Sequence, residues 1–294
     1  MTRAARCLTI LAASLASSAA VAQQPPPGPD DQAIVVTGGK MSKQAVRDFV
    51  RDLTPVTSGK GLRHFEEDVC PKVIGLSPRQ NDSVANRIRL VAKTAGIDVG
   101  KPKCSPNVIL IIASDKKAIM EELRRRHPDY YGDVSGNRIR ELIRSPETVV
   151  TWQIEGALMN ADGRVIPQNA GRFENYTTAR ASRLTTGERP QFGASVTIIS
   201  FDALDGLTPT QLADYVAVRS LTGADPAKLR SSTAPTILRA FDTPFGGEVP
   251  VTLTEWDLNF LRGYYAARRN LTAAAQRGTI AKGMTDDRKS PQGQ

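Results

Sequence analysis

The sequence predicts an α/β to α+β fold: an N-terminal half, 33–147, in which strands alternate with helices, and a C-terminal half, 148–284, with a hairpin and more helices. One indication is Val108–Ala113, an apolar run of strand length that is typical of a strand buried on both faces. The others are helix starts. Ser77 and Thr208 are each followed by proline and, three residues after the cap, by glutamine, which predicts capping boxes.

In the N-terminal half, the β-branched residues 34–36 predict a short first strand. The next helix is indicated by apolar residues that share one face, namely Ala45, Val46, Phe49, Val50 and Leu53. The helix that Ser77 starts has an apolar stripe opposite basic side chains and ends at Gly96. Beyond the buried strand, Ile119 and Leu123 predict a further helix, for which Ser114 is a candidate N-cap.

In the C-terminal half, Trp152, Ile154 and Leu158 alternate with polar residues, which predicts a half-buried strand. The turn residues 160–163 then predict a hairpin. Residues 167–190 are polar and irregular, and a strand returns at 196–201. Helices are expected to begin near residues 209, 235, 254 and 272, where Thr254 is a candidate N-cap. Residues 285–294 are expected to form a disordered tail.

The first 22 residues have the pattern of a secretory signal peptide. Arg3 and Arg6 precede a short apolar run, and Ala20 and Ala22 form a small-residue cleavage site. The alternative, a transmembrane anchor, requires about 20 apolar residues. We therefore expect a mature chain that begins near Gln23, has a proline-rich linker at 23–32 and has no membrane span. The expected localisation is exported, either periplasmic or secreted.

The charge is unevenly distributed along the chain. The full sequence has 39 basic and 30 acidic residues, a net charge of +9. Residues 1–22 contain two arginines and no acid, so the mature chain keeps +7. Segment 151–261 carries −3, whereas 23–150 and 262–294 carry +5 each. In an exported protein this excess at both ends favours anionic envelope surfaces, or another envelope protein, as the partner rather than nucleic acid.

The mature chain keeps two cysteines, Cys70 and Cys104. In an oxidising compartment, a single even pair is most simply a disulfide. Its loop of about 35 residues would stabilise the fold by roughly 4 kcal/mol in the chain-entropy model. The alternative is a reactive thiol at Cys70, although the chain has no C-x-x-C motif.

Most catalytic and cofactor motifs are missing from the sequence. The two histidines, His64 and His127, cannot form an H-E-x-x-H zinc site, and neither a Walker A sequence nor G-x-G-x-x-G occurs. We therefore predict no cofactor and no metal. Ser114 and Lys117 match S-x-x-K, which leaves a serine–lysine hydrolase as an alternative.

Two groups of charged residues are candidate sites of another kind. Arg124, Arg125 and Arg126 form a basic run that is either a solvated helix face or a contact with anionic surfaces. Residues 211–221 read as a helix that is apolar nearly all round, so Asp214 is expected to be buried. A buried carboxylate needs a partner, for which we consider Arg219 or a nearby backbone N–H group. The pair would be a polar anchor or a structural ion pair.

Several segments together resemble a family of uncharacterised exported proteins of Gram-negative bacteria. They are IVVTG at 34–38, CPKVIGL at 70–76, the helix 87–96, PNV at 106–108, the helix 212–221, LTEWD at 253–257 and 276–284. The resemblance spans most of the mature chain and implies no activity. A weaker likeness is to gluzincin-type metallopeptidases, because a strand precedes a central helix with ADYVA at 213–217 where that family has H-E-x-x-H.

These observations favour a non-catalytic binding or structural component of the periplasm or cell envelope. The alternative is a hydrolase, either a degenerate zinc-peptidase-like domain or an enzyme that uses Ser114 and Lys117.

Overall fold

The computed structural model describes residues 42–55, 60–169, 172–180, 182–229, 232–243 and 248–286. The expected signal peptide, the linker 23–32 and the strand at 34–36 lie outside these residues. Within this part of the chain, no helix is both long and apolar enough to cross a bilayer.

The fold is mixed α/β, as the sequence predicts. The helices are α1 (Lys43–Leu53), α2 (Pro78–Thr94), α3 (Lys116–Arg126), α4 (Gly136–Arg144), α5 (Pro209–Thr222), α6 (Glu255–Ala266) and α7 (Ala273–Asp286). The strands are β1 (His64–Phe65), β2 (Pro71–Ile74), β3 (Val108–Ala113), β4 (Val149–Glu155), β5 (Met159–Asn160), β6 (Gln168–Asn169), β7 (Arg172–Phe173), β8 (Glu188–Arg189) and β9 (Gln191–Ser200).

Strand β9 is the centre of the main sheet. Thr197 pairs with Leu110 of the parallel strand β3 and also with Thr151 of the antiparallel strand β4, so these two strands flank β9 on opposite edges. The parallel strand β2 continues the sheet beyond β3, and β1 pairs with the first two residues of β9. The predicted halves therefore share one sheet, and the change of pattern near residue 148 does not separate two folding units.

Helices cover both faces of this sheet. On β3, Val108, Leu110 and Ile112 belong to a core that they share with α1, α2, α5, α6 and α7, which we name the α5 face. The alternate residues Ile109 and Ile111 pack with α3 and α4, which we name the α3 face. Because successive side chains of a strand point to opposite faces, the apolar run of β3 fits a strand that is buried on both sides.

The predicted helix starts are confirmed. Ser77, Thr208 and Thr254 are N-caps with complete capping boxes, in which each side chain accepts a bond from the backbone N–H three residues later. The cap of α3 was predicted wrongly. Asp115, one residue after Ser114, accepts from the backbone N–H of Ala118, because the carboxylate lies three residues before that donor.

Two further expectations in the C-terminal half need correction. The helix expected near residue 235 is only a 3-10 turn, Ile237–Arg239, because the carboxylate of Asp257 binds the backbone N–H of Ile237 and the hydroxyl of Thr236 and holds the segment against α6. Helix α7 ends at Asp286, two residues inside the expected tail. The rest of that tail lies outside the described residues.

Candidate functional site

The connection between β4 and β9 lines a cavity at one end of the main sheet. Neighbouring antiparallel strands need only two to five connecting residues, whereas here residues 156–190 lie between them. A long connection on a rigid sheet is a common place for a binding site. We refer to residues 156–190 as the β4–β9 insert.

The first part of the insert is the predicted hairpin, which is confirmed. Met159 forms an antiparallel bridge with Val165, and Gly163 takes a positive φ of 83° in the turn. The carbonyl oxygen Oδ1 of Asn160 accepts bonds from the backbone N–H groups of Asp162 and Arg164. Asparagine and glycine are the residues that such a turn favours, so the sequence itself specifies this local shape.

The end of the insert is fixed to the loop between α6 and α7. The backbone N–H of Thr186 donates to the carbonyl of Asn270 at 2.7 Å, and that of Thr272 donates to the carbonyl of Leu184 at 2.9 Å. On the sheet side, the backbone N–H of Gly156 donates to the carbonyl of Gln191 at 3.1 Å. Backbone hydrogen bonds thus hold both walls of the cavity.

The cavity, which we name the insert cleft, has a volume of about 630 Å³. This is the size range of small-ligand sites. Its wall on the sheet side comes from the start of β1, the end of β4 and the start of β9. Its charged and amide-bearing lining includes Lys60, Arg63, Glu155, Arg183, Glu188 and Gln191.

The lining of the insert cleft carries charges of both signs. Arg63 and Glu155 form an ion pair across the ends of β1 and β4. Lys60, Arg183 and Glu188 add two positive charges and one negative charge, so the lining as a whole has a net charge of +1. The cleft can therefore donate to anionic groups and accept from cationic or hydroxyl groups of the same ligand.

The hydroxyl of Ser182, which also lines the cleft, has a structural role. Its oxygen accepts bonds from the backbone N–H groups of Leu184 and Thr185, both at 3.2 Å. Neither histidine lines the cleft. Within the described ranges, no three His, Cys, Asp or Glu side chains lie close enough to hold a metal ion.

The predicted disulfide is confirmed. Cys70 and Cys104 are bonded, with 6.0 Å between their Cα atoms. The bond attaches the loop before β3 to the start of β2. The alternative reading of Cys70 as a reactive thiol is wrong, because its sulfur is in the disulfide.

Asp214 is buried as predicted, but Arg219 is not its partner. Arg87 of α2 holds the carboxylate of Asp214 with two parallel bonds of 2.8 and 3.1 Å. The hydroxyl of Thr252 and the backbone N–H of Leu253 each donate to the same carboxylate at 2.7 Å. Asp214 is 0% exposed and lines none of the cavities described in this article, so this is a packed ion pair between helices.

Arg219 lies elsewhere because it is five residues after Asp214, on another side of α5. One turn back along the helix, the hydroxyl of Tyr215 accepts a bond of 2.6 Å from its Nη1. Residues 213–217, which the gluzincin likeness aligns with H-E-x-x-H, are buried throughout. Membership of that fold, and of the family of exported proteins, stays a prediction.

Each arginine of the basic run on α3 forms an ion pair with a glutamate of the same helix. Arg124 pairs with Glu121, and both Arg125 and Arg126 pair with Glu122. Ser114 and Lys117 are both exposed and form no hydrogen bond with each other, so the S-x-x-K match does not form a contact here.

The two histidines have structural positions. His64 is buried in β1, and its Nε2 donates to the backbone carbonyl of Tyr264 at 2.8 Å. Burial, with a contribution from the charge of Arg269, lowers the pKa of His64 to about 3. His127 is the C-cap of α3.

Residue motifs did not predict the insert cleft. Arg63, Glu155 and Arg183 are separated in the sequence and follow no motif. The available signal was the length and polarity of residues 167–190 between two strands. Comparisons with protein-family models, curated proteins and solved structures give no match. The function is therefore argued from this geometry.

Proposed function

We propose that this chain is a non-catalytic binding protein of the bacterial cell envelope that takes a polar ligand in the insert cleft. The observation that carries the proposal is the cleft itself, a cavity of about 630 Å³ that a long insert builds on the edge of a rigid sheet. The two strands that residues 156–190 join are adjacent, so a much shorter connection would be enough to pair them.

The lining favours binding over hydrolysis. A hydrolase needs an activated nucleophile with a base or metal beside it. The cleft hydroxyl of Ser182 instead accepts backbone bonds, and Arg63 and Glu155 of the lining neutralise each other as an ion pair. Such groups suit recognition by several hydrogen bonds.

The chemistry of the lining indicates the class of ligand. Most lining residues carry a charge, an amide or a hydroxyl, although much of the lining surface is apolar, so the cleft fits a molecule that has donors, acceptors and some apolar surface. Two exposed apolar side chains, Tyr176 at 76% and Leu184 at 62%, are neighbours in sequence of the lining residues Asn175 and Arg183. A glycan or a short polar peptide has this combination, and peptidoglycan fragments contain both.

The proposed location in the envelope has two supports. The first is the signal-peptide pattern of residues 1–22. The second is the disulfide, since such bonds persist in oxidising compartments and are rare in a reducing cytosol.

The test is binding of soluble peptidoglycan fragments to protein that has been recovered from the periplasm of a Gram-negative host. Its mass should correspond to a chain that begins at Gln23, with the disulfide intact. In an NMR titration, we expect the fragments to shift amide signals of Thr186 and Gly187, which line the cleft. Ala157→Trp places a large side chain at an exposed lining position and should weaken binding at least tenfold, since it occupies the cavity.

The matched control is Ala118→Trp, at an exposed position of α3 far from the cleft in the fold. It should leave the titration unchanged. If the two variants bind equally well, or if the shifts fall on α3, the insert cleft is not the binding site.

A further inference from the structure

A second surface, separate from the insert cleft, lies between the first and last helices. Helix α7 packs on α1, and the guanidinium of Arg277 near the start of α7 donates to the hydroxyl of Thr54 just after α1. At the other end, Lys43 and Thr285 line the same cavity, so the two helices run antiparallel. The cavity between them is an open groove of about 560 Å³, which we name the α1–α7 groove.

The groove is strongly basic. Five basic side chains and a single acidic one, Asp48, line it. The basic residues are Lys43, Arg47, Arg51, Arg277 and Lys282. The two positively charged segments of the sequence, 23–150 and 262–294, thus come together on one surface. Basic side chains that outnumber the acidic ones beside them favour a negatively charged occupant.

Three of these cations have no acidic partner within the described residues. Arg51 pairs with Asp48 and Asp52, and Arg277 donates to Thr54 and to the carbonyl of Pro55. Lys43, Arg47 and Lys282 form no ion pair in this part of the chain and are exposed. The contrast is with the basic run of α3, in which every arginine has a glutamate beside it.

The spacing of the cations selects an extended chain. Lys43, Arg47 and Arg51 follow each other at four-residue intervals, which places them on one side of α1 about 6 Å apart along its axis. Alternate side chains of an extended peptide lie on one face about 6.7 Å apart. Carboxylates at alternate positions therefore match the spacing of Lys43 and Arg47, while Arg51, which already pairs with Asp48 and Asp52, adds to the positive field at the end of the series.

The shape and lining favour a peptide over a bilayer or a nucleic acid. A flat bilayer can contact a convex protein surface, but it cannot contact the floor of a groove between two helices. The groove has no aromatic side chain on which a base or sugar could stack, and its apolar lining is limited to Gly278 and Ala281.

We propose that the α1–α7 groove docks an extended acidic segment of a partner protein, with carboxylates on alternate residues. Charge and spacing give the recognition, so the interaction is weak and sensitive to salt. It is independent of ligand binding in the insert cleft, and either can be absent without the other.

The experiment measures fluorescence anisotropy of a labelled peptide with four Glu-Thr repeats, in which threonine favours the extended form. The reference peptide has the same composition with its four glutamates in one block. The groove variant combines Lys43→Gln, Arg47→Gln and Lys282→Gln. The matched control, Arg124→Gln with Arg125→Gln and Arg126→Gln, removes the same charge from α3.

We expect the repeat peptide to bind more tightly than the block peptide. The groove variant should weaken its binding about tenfold, since three exposed pairs are lost together, whereas the α3 control should change it less than twofold. Circular dichroism should show both variants folded.

Equal losses in the two variants, or equal binding of the two peptides, would overturn the proposal. Tighter binding to polyphosphate or to phosphatidylglycerol vesicles would also overturn it. So would a salt-sensitive dimer that only the groove variant abolishes, because the occupant would then be a second copy of the chain.

Discussion

The α5 face and the α3 face of the central sheet are both tightly packed, but among the described residues only the α5 face buries carboxylates and an imidazole. The α5 face contains the Arg87–Asp214 pair, the carboxylate of Asp257 and the imidazole of His64. In the described residues of the α3 face, the buried polar groups are instead Tyr131 and Trp152, which donate to the carbonyls of Met120 and Tyr130. Stability on the first side therefore depends on charge and pH, whereas on the second it depends on packing.

The difference follows from the positions in the sequence of the helices that pack on each face. The helices of the α5 face come from distant parts of the chain, and the bidentate bond between Arg87 and Asp214 fixes how α2 and α5 sit against each other. Asp257 likewise joins α6 to the segment before it. Burial raises the pKa of Asp257, and its four hydrogen-bond donors oppose that shift. Helices α3 and α4 follow closely in sequence and need no such bond.

The largest effect should come from Arg87→Met on the α5 face. Asp214 is 0% exposed, so loss of its cation leaves a buried charge without a counterion, at a cost of about 3–5 kcal/mol in the free energy of unfolding. Urea denaturation at pH 7 measures it. The double variant Arg87→Met with Asp214→Leu should recover much of the loss, and Lys93→Met, an exposed site on the same helix, should change stability by less than about 0.5 kcal/mol. If the Arg87→Met and Lys93→Met proteins had the same free energy of unfolding, the stability of the α5 face would not depend on this ion pair.

The second largest effect concerns the same face. His64 makes the free energy of unfolding depend on pH. Its pKa is about 3 in the folded protein and near 6.5 when unfolded, so between these values only the unfolded chain takes up the proton. The stability contributed by neutral His64 is complete above pH 6.5. It is lost as the pH falls, by up to about 1.4 kcal/mol per pH unit.

His64→Gln keeps a donor for the carbonyl of Tyr264 and removes the titration. We expect the wild-type protein to lose about 2 kcal/mol more than this variant between pH 6.5 and 5. Parallel urea titrations of the two proteins give the difference, from which the other titrating groups cancel. Identical pH profiles would mean that His64 is accessible to protons in the folded state.

The smallest effect should come from Tyr131→Phe on the α3 face. The change removes one hydrogen bond, of 2.9 Å, to the carbonyl of Met120 and leaves the stacked ring of Trp152 in place. A loss of about 1 kcal/mol is expected. Burial raises the pKa of Tyr131 to about 12, so the loss should be the same at pH 5 and pH 8. A loss that changes over this range would show that the α3 face also responds to charge.

The sequence predicted what depends on neighbours in the chain. Capping residues such as Ser77 and the buried run of β3 act within a few positions, and Cys104 is the only other cysteine after residue 22 that can pair with Cys70. The sequence did not predict the partner of Asp214, because Arg87 is 127 residues away and no local pattern joins the two residues. The insert cleft was missed for the same reason. Its polarity was visible, but only the pairing of β4 with β9 shows that residues 156–190 form an insert rather than a necessary connection.

The central position of β9 also determines when the molecule can fold. It is the last strand of the sheet in the chain, yet β1, β3 and β4 all pair with it. A growing chain therefore exposes the apolar edge of β3 until residues 191–200 arrive, and closure then requires contacts between positions as distant as His64 and Gln191. Such long-range closure makes folding slow and leaves the incomplete sheet open to wrong pairing.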